Sequence, residues 1–231
     1  MTHTSSMSAM PALALLAGIG AASGAHEAAA TPISFSINSN GAASATITFD
    51  TFDTGLGTLT GVSFTLGSSK AATTATLSVT GGEGGFNAGQ VSADYRARAP
   101  GTLGALANTI FSASGLVTAD CTSDYGFNCT DSKSDSPSFG TSFTLPSGDL
   151  GLYASAGPGT FDLLVDFNNI VIQTTTCVIN GNCMTIGDVV WSGSIDVNYT
   201  YQAIEAIPEP GSLTLLAFGA AALATRARKR S

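Results

Sequence analysis

Several runs along the chain alternate apolar and polar side chains with a period of two, the repeat of a strand buried on one face. In 195–201, Ile195, Val197, Tyr199 and Tyr201 share one face, and Asp196, Asn198 and Thr200 share the other. In 161–167, Phe161, Leu163, Val165 and Phe167 face one way, with Asp162 and Asp166 opposite. Ala75, Leu77 and Val79 oppose Thr74, Thr76, Ser78 and Thr80, while Val62, Phe64 and Leu66 form another apolar face. Shorter candidates lie at 33–37, 45–49, 109–117 and 139–145. Glycine-rich breaks such as 81–85 (GGEGG) separate the runs, and no internal stretch sustains a 3.6-residue period. The pattern predicts an all-β fold: a single antiparallel β-sandwich of the jelly-roll or Ig-like kind over 31–205.

The two ends follow other rules. Residues 9–22 are apolar and uncharged, and small-residue patterns follow at Ser23-Gly24-Ala25 and Ala28-Ala29-Ala30. This is the layout of a secretory signal peptide, read here as 1–30. It departs from the rule in one respect, since no Lys or Arg precedes the apolar run. The other end, 206–231, has three parts in order: Pro208-Glu209-Pro210, the fifteen uncharged residues 211–225, and the basic residues Arg226, Arg228, Lys229 and Arg230. The prolines break any preceding element. The apolar run predicts a helix of roughly 22 Å, short against a hydrocarbon core of about 30 Å but extended by arginine stems that reach the headgroups. Positive charge behind such a helix holds its end in the cytoplasm and leaves the main domain outside.

The segment Ile207-Pro208-Glu209-Pro210-Gly211-Ser212-Leu213, the apolar run and the terminal basic cluster together resemble the PEP-CTERM sorting signal of exosortase substrates, about a tenth of the chain. The resemblance implies an exosortase and the export machinery as partners, transient residence in the inner membrane, removal of the transmembrane helix, and delivery to the cell surface or the extracellular polymeric substance. Residues 47–62 (ITFDTFDTGLGTLTGV) and 193–201 (GSIDVNYTY) resemble the two ends of the choice-of-anchor E domain, which implies no particular activity.

Charge narrows the function further. Only 10% of residues are charged against 44% hydrophobic, so surface polarity falls to Thr, Ser, Asn and Gly. Residues 31–205 hold fourteen acidic side chains and four basic ones, a net charge of −10. A body this acidic has no basic face to neutralise phosphates, which excludes nucleic acid as a partner. The only histidines are His3 and His26. Removal of 1–30 would leave a body without imidazole, the commonest general base and zinc ligand.

Four cysteines at 121, 129, 177 and 183 in an exported chain imply two disulfides. Three connectivities exist, and short ring closure favours Cys121–Cys129 and Cys177–Cys183. A hairpin with the three-residue loop Ile179-Asn180-Gly181 would set Cys177 opposite Cys183, with Gly181 at the left-handed position. The spacings are too wide for a zinc ribbon, and no metal is expected there. The loop between 120 and 135 brings four carboxylates, Asp120, Asp124, Asp131 and Asp135, in a spacing unlike an EF-hand, so a solvated loop is expected rather than a calcium site. Asp162 and Asp166 suggest a wet strand face more than a hydrolytic pair, and Trp191 a core residue more than a sugar platform. No nucleophile elbow or phosphate loop is present. The expectation is a non-enzymatic, cofactor-free surface or matrix protein. The alternatives are a module binding exopolysaccharide, a secreted hydrolase, and an ice-binding surface on the Thr74–Thr80 face.

Overall fold

A computed structural model describes residues 24–204. Residues 1–23 of the expected leader and the whole sorting tail, with Pro208, Glu209, Pro210, Arg226, Arg228, Lys229 and Arg230, lie outside the described residues. The expected β-sandwich is what the chain builds. One sheet is centred on two long antiparallel strands, β5 (Gly57–Thr80) and β12 (Asn182–Ala203). The outer side of β12 carries β1 (Ala25–Ala29) and β2 (Ile33–Asn38), and that of β5 carries β8 (Cys129–Asp135) and β9 (Ser142–Thr144). The second sheet runs β3 (Ser44–Asp50), β11 (Thr160–Thr176), β6 (Gly85–Gly101), β7 (Gly104–Ser123). A two-residue parallel pair, β4 (Phe52–Asp53) with β10 (Ala154–Ser155), stands apart from both.

The alternating runs of the sequence supply the inner faces. Ile195, Val197 and Tyr199 of β12, Val62 and Phe64 of β5, and Phe161, Leu163 and Val165 of β11 are all buried. Trp191 is fully buried, stacked on Phe139 at 4.6 Å and set edge-on to Phe35 at 5.0 Å. The sequence separates 62–66 from 74–80, whereas β5 continues through both. Its register against β12 shifts at Ser192/Ser194, where β5 carries one residue more. This β-bulge brings Ser69 to the indole, and Trp191 Nε1 donates to Ser69 Oγ at 2.9 Å.

β6 is the central strand that the alternation does not reveal. Its inward positions include Ala93, Ala97 and Ala99, too small to give an apolar signal. They make room for Tyr95, which lies edge-on to Trp191, Phe139 and Phe167. Tyr95 Oη and Thr73 Oγ1 share a buried hydrogen bond of 2.7 Å across the two sheets. A Cβ on Gly115 would come within 2.1 Å of that same Thr73 Oγ1, so the close approach here requires glycine.

Residues 25–29, which the sequence reading puts inside the 1–30 leader, form strand β1. Ala25 pairs with Gln202 and Ala29 with Asn198, and the ring of His26 lies 5.5 Å from that of Tyr201. β12 ends where Ala203 pairs with Gly57. Both ends of the described chain therefore leave the sandwich at one pole. The other pole lies a β12 length away, roughly 70 Å for 22 residues.

Candidate functional site

The distal pole, far from both ends of the described chain, is where the sequence-predicted disulfides converge. Cys121 bridges to Cys129 and Cys177 to Cys183, the local pairing expected. The expected hairpin is not the reason. β11 and β12 lie in different sheets, so 177–183 is an arch across the sandwich, and Cys183 pairs with Val79 of β5. The left-handed residue of the arch is Asn180 (φ 58°), with a turn closed by Gly181 N–H donating to Val178 O at 3.1 Å. Asparagine tolerates that conformation, which displaces the role assigned to Gly181. Cys121–Cys129 makes the equivalent connection on the other side, from the end of β7 to the start of β8.

Between the two bridges sits a fully buried polar side chain that sequence reasoning missed, Asn87 of β6. Its amide nitrogen donates to Gly85 O at 3.1 Å and to Ser123 Oγ at 3.2 Å, and lies 3.9 Å from Cys129 Sγ. Its oxygen accepts from Val178 N–H at 3.0 Å and lies 3.5 Å from Cys183 Sγ. One amide thus ties β6 and β7 of the second sheet to the arch between the sheets, where a packed apolar core gives way to loops. Nothing in the run GFNAGQV signals this role.

The loops above this plug hold one another. Glu83 N–H donates to Ile179 O at 3.0 Å and Gly126 N–H to Gly82 O at 3.0 Å. Tyr125 and Phe127 flank Gly126 (φ 75°) and are exposed, as is Ile179 on the arch.

The acidic loop resolves into a turn and the strand β8. Asp131 and Lys133 lie on β8, and Lys133 Nζ pairs with Asp120 and, at 3.4 Å, with Asp131. The backbone N–H of Asp120 donates to Asp131 at 3.0 Å, which together with Lys133 holds that carboxyl below the usual range. Asp135 pairs with Thr73 in the β5–β8 ladder, and Asp124 belongs to the exposed turn. Among the described residues no group of three or more acid, histidine or cysteine side chains converges as a metal site.

Asp162 and Asp166 share the outer face of β11 without meeting. Four residues along a strand separate them by roughly 13 Å. Asp162 accepts from Thr48 Oγ1 at 2.6 Å, whereas Asp166 accepts from Arg98 at 2.6 Å and Arg96 at 3.4 Å. Asp162 also borders an open groove of about 590 Å³ lined by Thr46, Pro100, Leu106, Phe161 and Leu164. On the other sheet, Thr74, Thr76, Ser78 and Thr80 share one face, flanked by Ser132 (3.0 Å from Thr76) and by exposed Met184 and Ile186. At the proximal pole Asp149 accepts from Thr102 N–H at 2.8 Å and from Asn108 at 2.7 Å, fixing the β6–β7 turn. No helix among the described residues is long and apolar enough to cross a membrane.

Comparison with known proteins bears on the tail. Residues 206–229 match the PEP-CTERM protein-sorting motif. No curated protein matches the chain. The structure of infectious bursal disease virus, Gx strain, aligns with 78% of this chain and 39% of its own at 9% identity, with a TM-score of 0.18. The crystal structure of the infectious bursal disease virus VP2 subviral particle aligns with 75% and 38% at 10% identity, with a TM-score of 0.15. The chain thus spans about two fifths of the length of these structures, and likeness at this level carries no argument. The sorting motif does: it marks an exported, membrane-transiting protein processed by an exosortase.

Proposed function

We propose that this chain is a non-catalytic protein of the cell surface or extracellular matrix, a rigid β-sandwich displayed on a tail that exosortase cuts. The observation that carries this reading is the polarity of the body. β12 runs directly into the sorting motif, the last described residue being Ile204 and the motif beginning at 206. The disulfide-closed pole stands at the far end of that strand, the orientation of a domain held at its base and presented at its tip. Two disulfides suit an oxidising exterior. The likeness of 47–62 and 193–201 to the choice-of-anchor E domain agrees with a body that serves its anchor. The carboxylates support a passive surface: Asp162 and Asp166 lie farther apart than the roughly 5–9.5 Å over which paired acids cleave glycosides, and each is engaged by a neighbour.

Cell fractionation of the native host with mass spectrometry of both termini tests the reading. The mature C-terminus should fall near 208–211, and peptides of 226–230 on surface-exposed protein would overturn it. A screen of the purified protein on glycoside, ester and peptide substrates should show no turnover. Activity that survives repurification and disappears with Asp162→Asn or Asp166→Asn would establish the hydrolase instead.

One observation favours binding to exopolysaccharide as a second reading. Exposed aromatics at the tip include Tyr125 and Phe127, held on a disulfide-closed turn, and rings so presented stack on sugars. Trp191 is buried and unavailable for this. A glycan array with wild type and Tyr125→Ala/Phe127→Ala separates the two readings.

A further inference from the structure

The sandwich has one lateral notch where both sheets are open at once. β3 pairs with β11 only over 160–166, and β2 pairs with β12 only over 190–195. The connection 39–43 crosses between the sheets at that level, where Ser39 N–H donates to Val189 O at 2.8 Å and Phe167 N–H to Ala43 O at 3.3 Å. Beyond it, toward the distal pole, the outer edges of β11 (171–176) and β12 (182–187) have no strand partner among the described residues. The two edges are stacked one above the other: Thr174 Oγ1 and Thr185 Oγ1 are 2.9 Å apart.

Sheet edges template the addition of further strands, and proteins blunt them with charge, proline or cover. Two of the other edges in this sandwich are blunted in that way. The β8 edge carries Asp131, Lys133 and Asp135, and the β1–β2 edge carries Glu27 and the break at Pro32. The notch has no such guard. Its core, Val171-Ile172-Gln173-Thr174-Thr175-Thr176, is rich in β-branched residues and lacks Gly and Pro, a composition that favours strand pairing. The whole stretch from 167 to 187 contains no charged residue, in a body of net charge −10. Apolar side chains stand in solvent along it: Val171 is 43% exposed, Ile172 45%, Met184 54% and Ile186 53%.

We propose that this notch is a strand-addition surface whose occupant is a second copy of the same chain. Charge permits that occupant, and the stacked pair of edges selects it, because a second copy presents two edges at the same spacing. Two bodies this acidic repel wherever their charged faces meet, and edges that lie within an uncharged stretch of twenty-one residues meet their own copies with little of that cost. The geometry is self-complementary. A two-fold axis normal to the sheets at the level of Thr174 also passes the level of Thr185, so one symmetry operation joins β11 to β11 and β12 to β12 as antiparallel pairs. This is the isologous arrangement commonest among homodimers. Each copy fills the other's notch, and both sheets become continuous. Antiparallel pairing sends the two sorting tails to opposite ends, so the dimer bridges separate surfaces, or joins released copies, rather than lying side by side on one membrane.

The test is hydrogen exchange on the full chain in detergent micelles, at about 1 and about 100 µM to bracket micromolar association. Peptides covering 171–176 and 182–187 should gain protection with concentration, whereas the β6–β7 turn at Leu103 should not. Gln173→Lys places like charges across the two-fold axis and should weaken dimerisation by about tenfold or more, measured by sedimentation. Leu103→Lys, an exposed apolar side chain charged at the opposite pole, should leave it unchanged. Unchanged far-ultraviolet circular dichroism and both native disulfides in Gln173→Lys show that the fold survives. Association through the hydrophobic tail would leave 171–176 unprotected. Cover by the chain's own termini would protect it equally at both concentrations. Either result, or dimerisation indifferent to Gln173→Lys, would overturn the proposal.

Discussion

Asn87 Oδ1 accepts the backbone N–H of Val178 at 3.0 Å, though the two residues are 91 positions apart, one on strand β6 and the other on the arch between the sheets. The same side chain reaches Gly85 and Ser123 through its nitrogen. A buried amide with its groups satisfied costs little, and removal leaves its protein partners unpaired. Asn87→Ala should therefore destabilise the fold by about 2–3 kcal/mol, the range for breaking a buried hydrogen-bond network. Urea unfolding with the disulfides intact measures it. A loss within about 0.5 kcal/mol, the size of an ordinary surface substitution, would show that Asn87 does not hold the pole.

The bridges beside it act on the unfolded chain. Each closes a short ring, with sequence separations of 8 and 6. Such rings correspond to about 2–3 kcal/mol each in the chain-entropy picture. Cys121→Ser/Cys129→Ser and Cys177→Ser/Cys183→Ser should each lose about that much while keeping the strand content seen by circular dichroism. Peptide mapping without reductant should recover 121–129 and 177–183 links alone. A cross-link such as 121–177 would contradict the arrangement of the pole.

How far the fold is legible in the sequence depends on which side chains fill the inner face. β11 and β12 announce themselves because their inward residues are large, as in Phe161-Leu163-Val165 and Ile195-Val197-Tyr199. β6 stays hidden because a central strand facing Trp191 and Tyr153 must be lined with alanine. β8 reads as a loop because an edge strand carries Asp131 and Lys133 for solvent. The disulfide pairs are legible from ring size, but their setting is not: alternation along a strand does not say which sheet receives it, so an arch between sheets passes for a hairpin. Asn87 depends on tertiary neighbours alone. The sorting tail is legible because its parts act in linear order.

In the tail, Glu209 is the only charged residue between Glu205 and Arg226. In the native host, Glu209→Ala should leave an uncleaved form in the inner membrane, larger by the apolar segment and its basic end. Fractionation with an immunoblot against the body shows it. Normal release of Glu209→Ala would separate the motif's glutamate from processing.

Two aspartates give opposite responses to pH. Hydrogen bonds from Asn108 and Thr102 hold the Asp149 carboxyl below its ordinary value of 3.8. A depressed carboxylate contributes stability that is present above the unfolded value and lost as pH falls through the folded one, so this contribution fades below about pH 4. Asp196 lies at the level of the break between β1 and β2. Burial raises its carboxyl above 3.8, and its Oδ1 has no hydrogen-bond partner. A raised carboxyl contributes stability below the unfolded value and loses it as pH rises through the folded one, so at neutral pH the ionised Asp196 is a cost. Asp196→Asn should raise the melting temperature at pH 7 by a few degrees and do little or nothing at pH 3. Asp149→Asn should lower it at pH 7, with the difference from wild type shrinking as the pH drops below 4. Melting curves of the three proteins between pH 3 and 8 decide both points. A melting temperature for Asp196→Asn below wild type at pH 7 would mean that the ionised carboxylate has a stabilising partner.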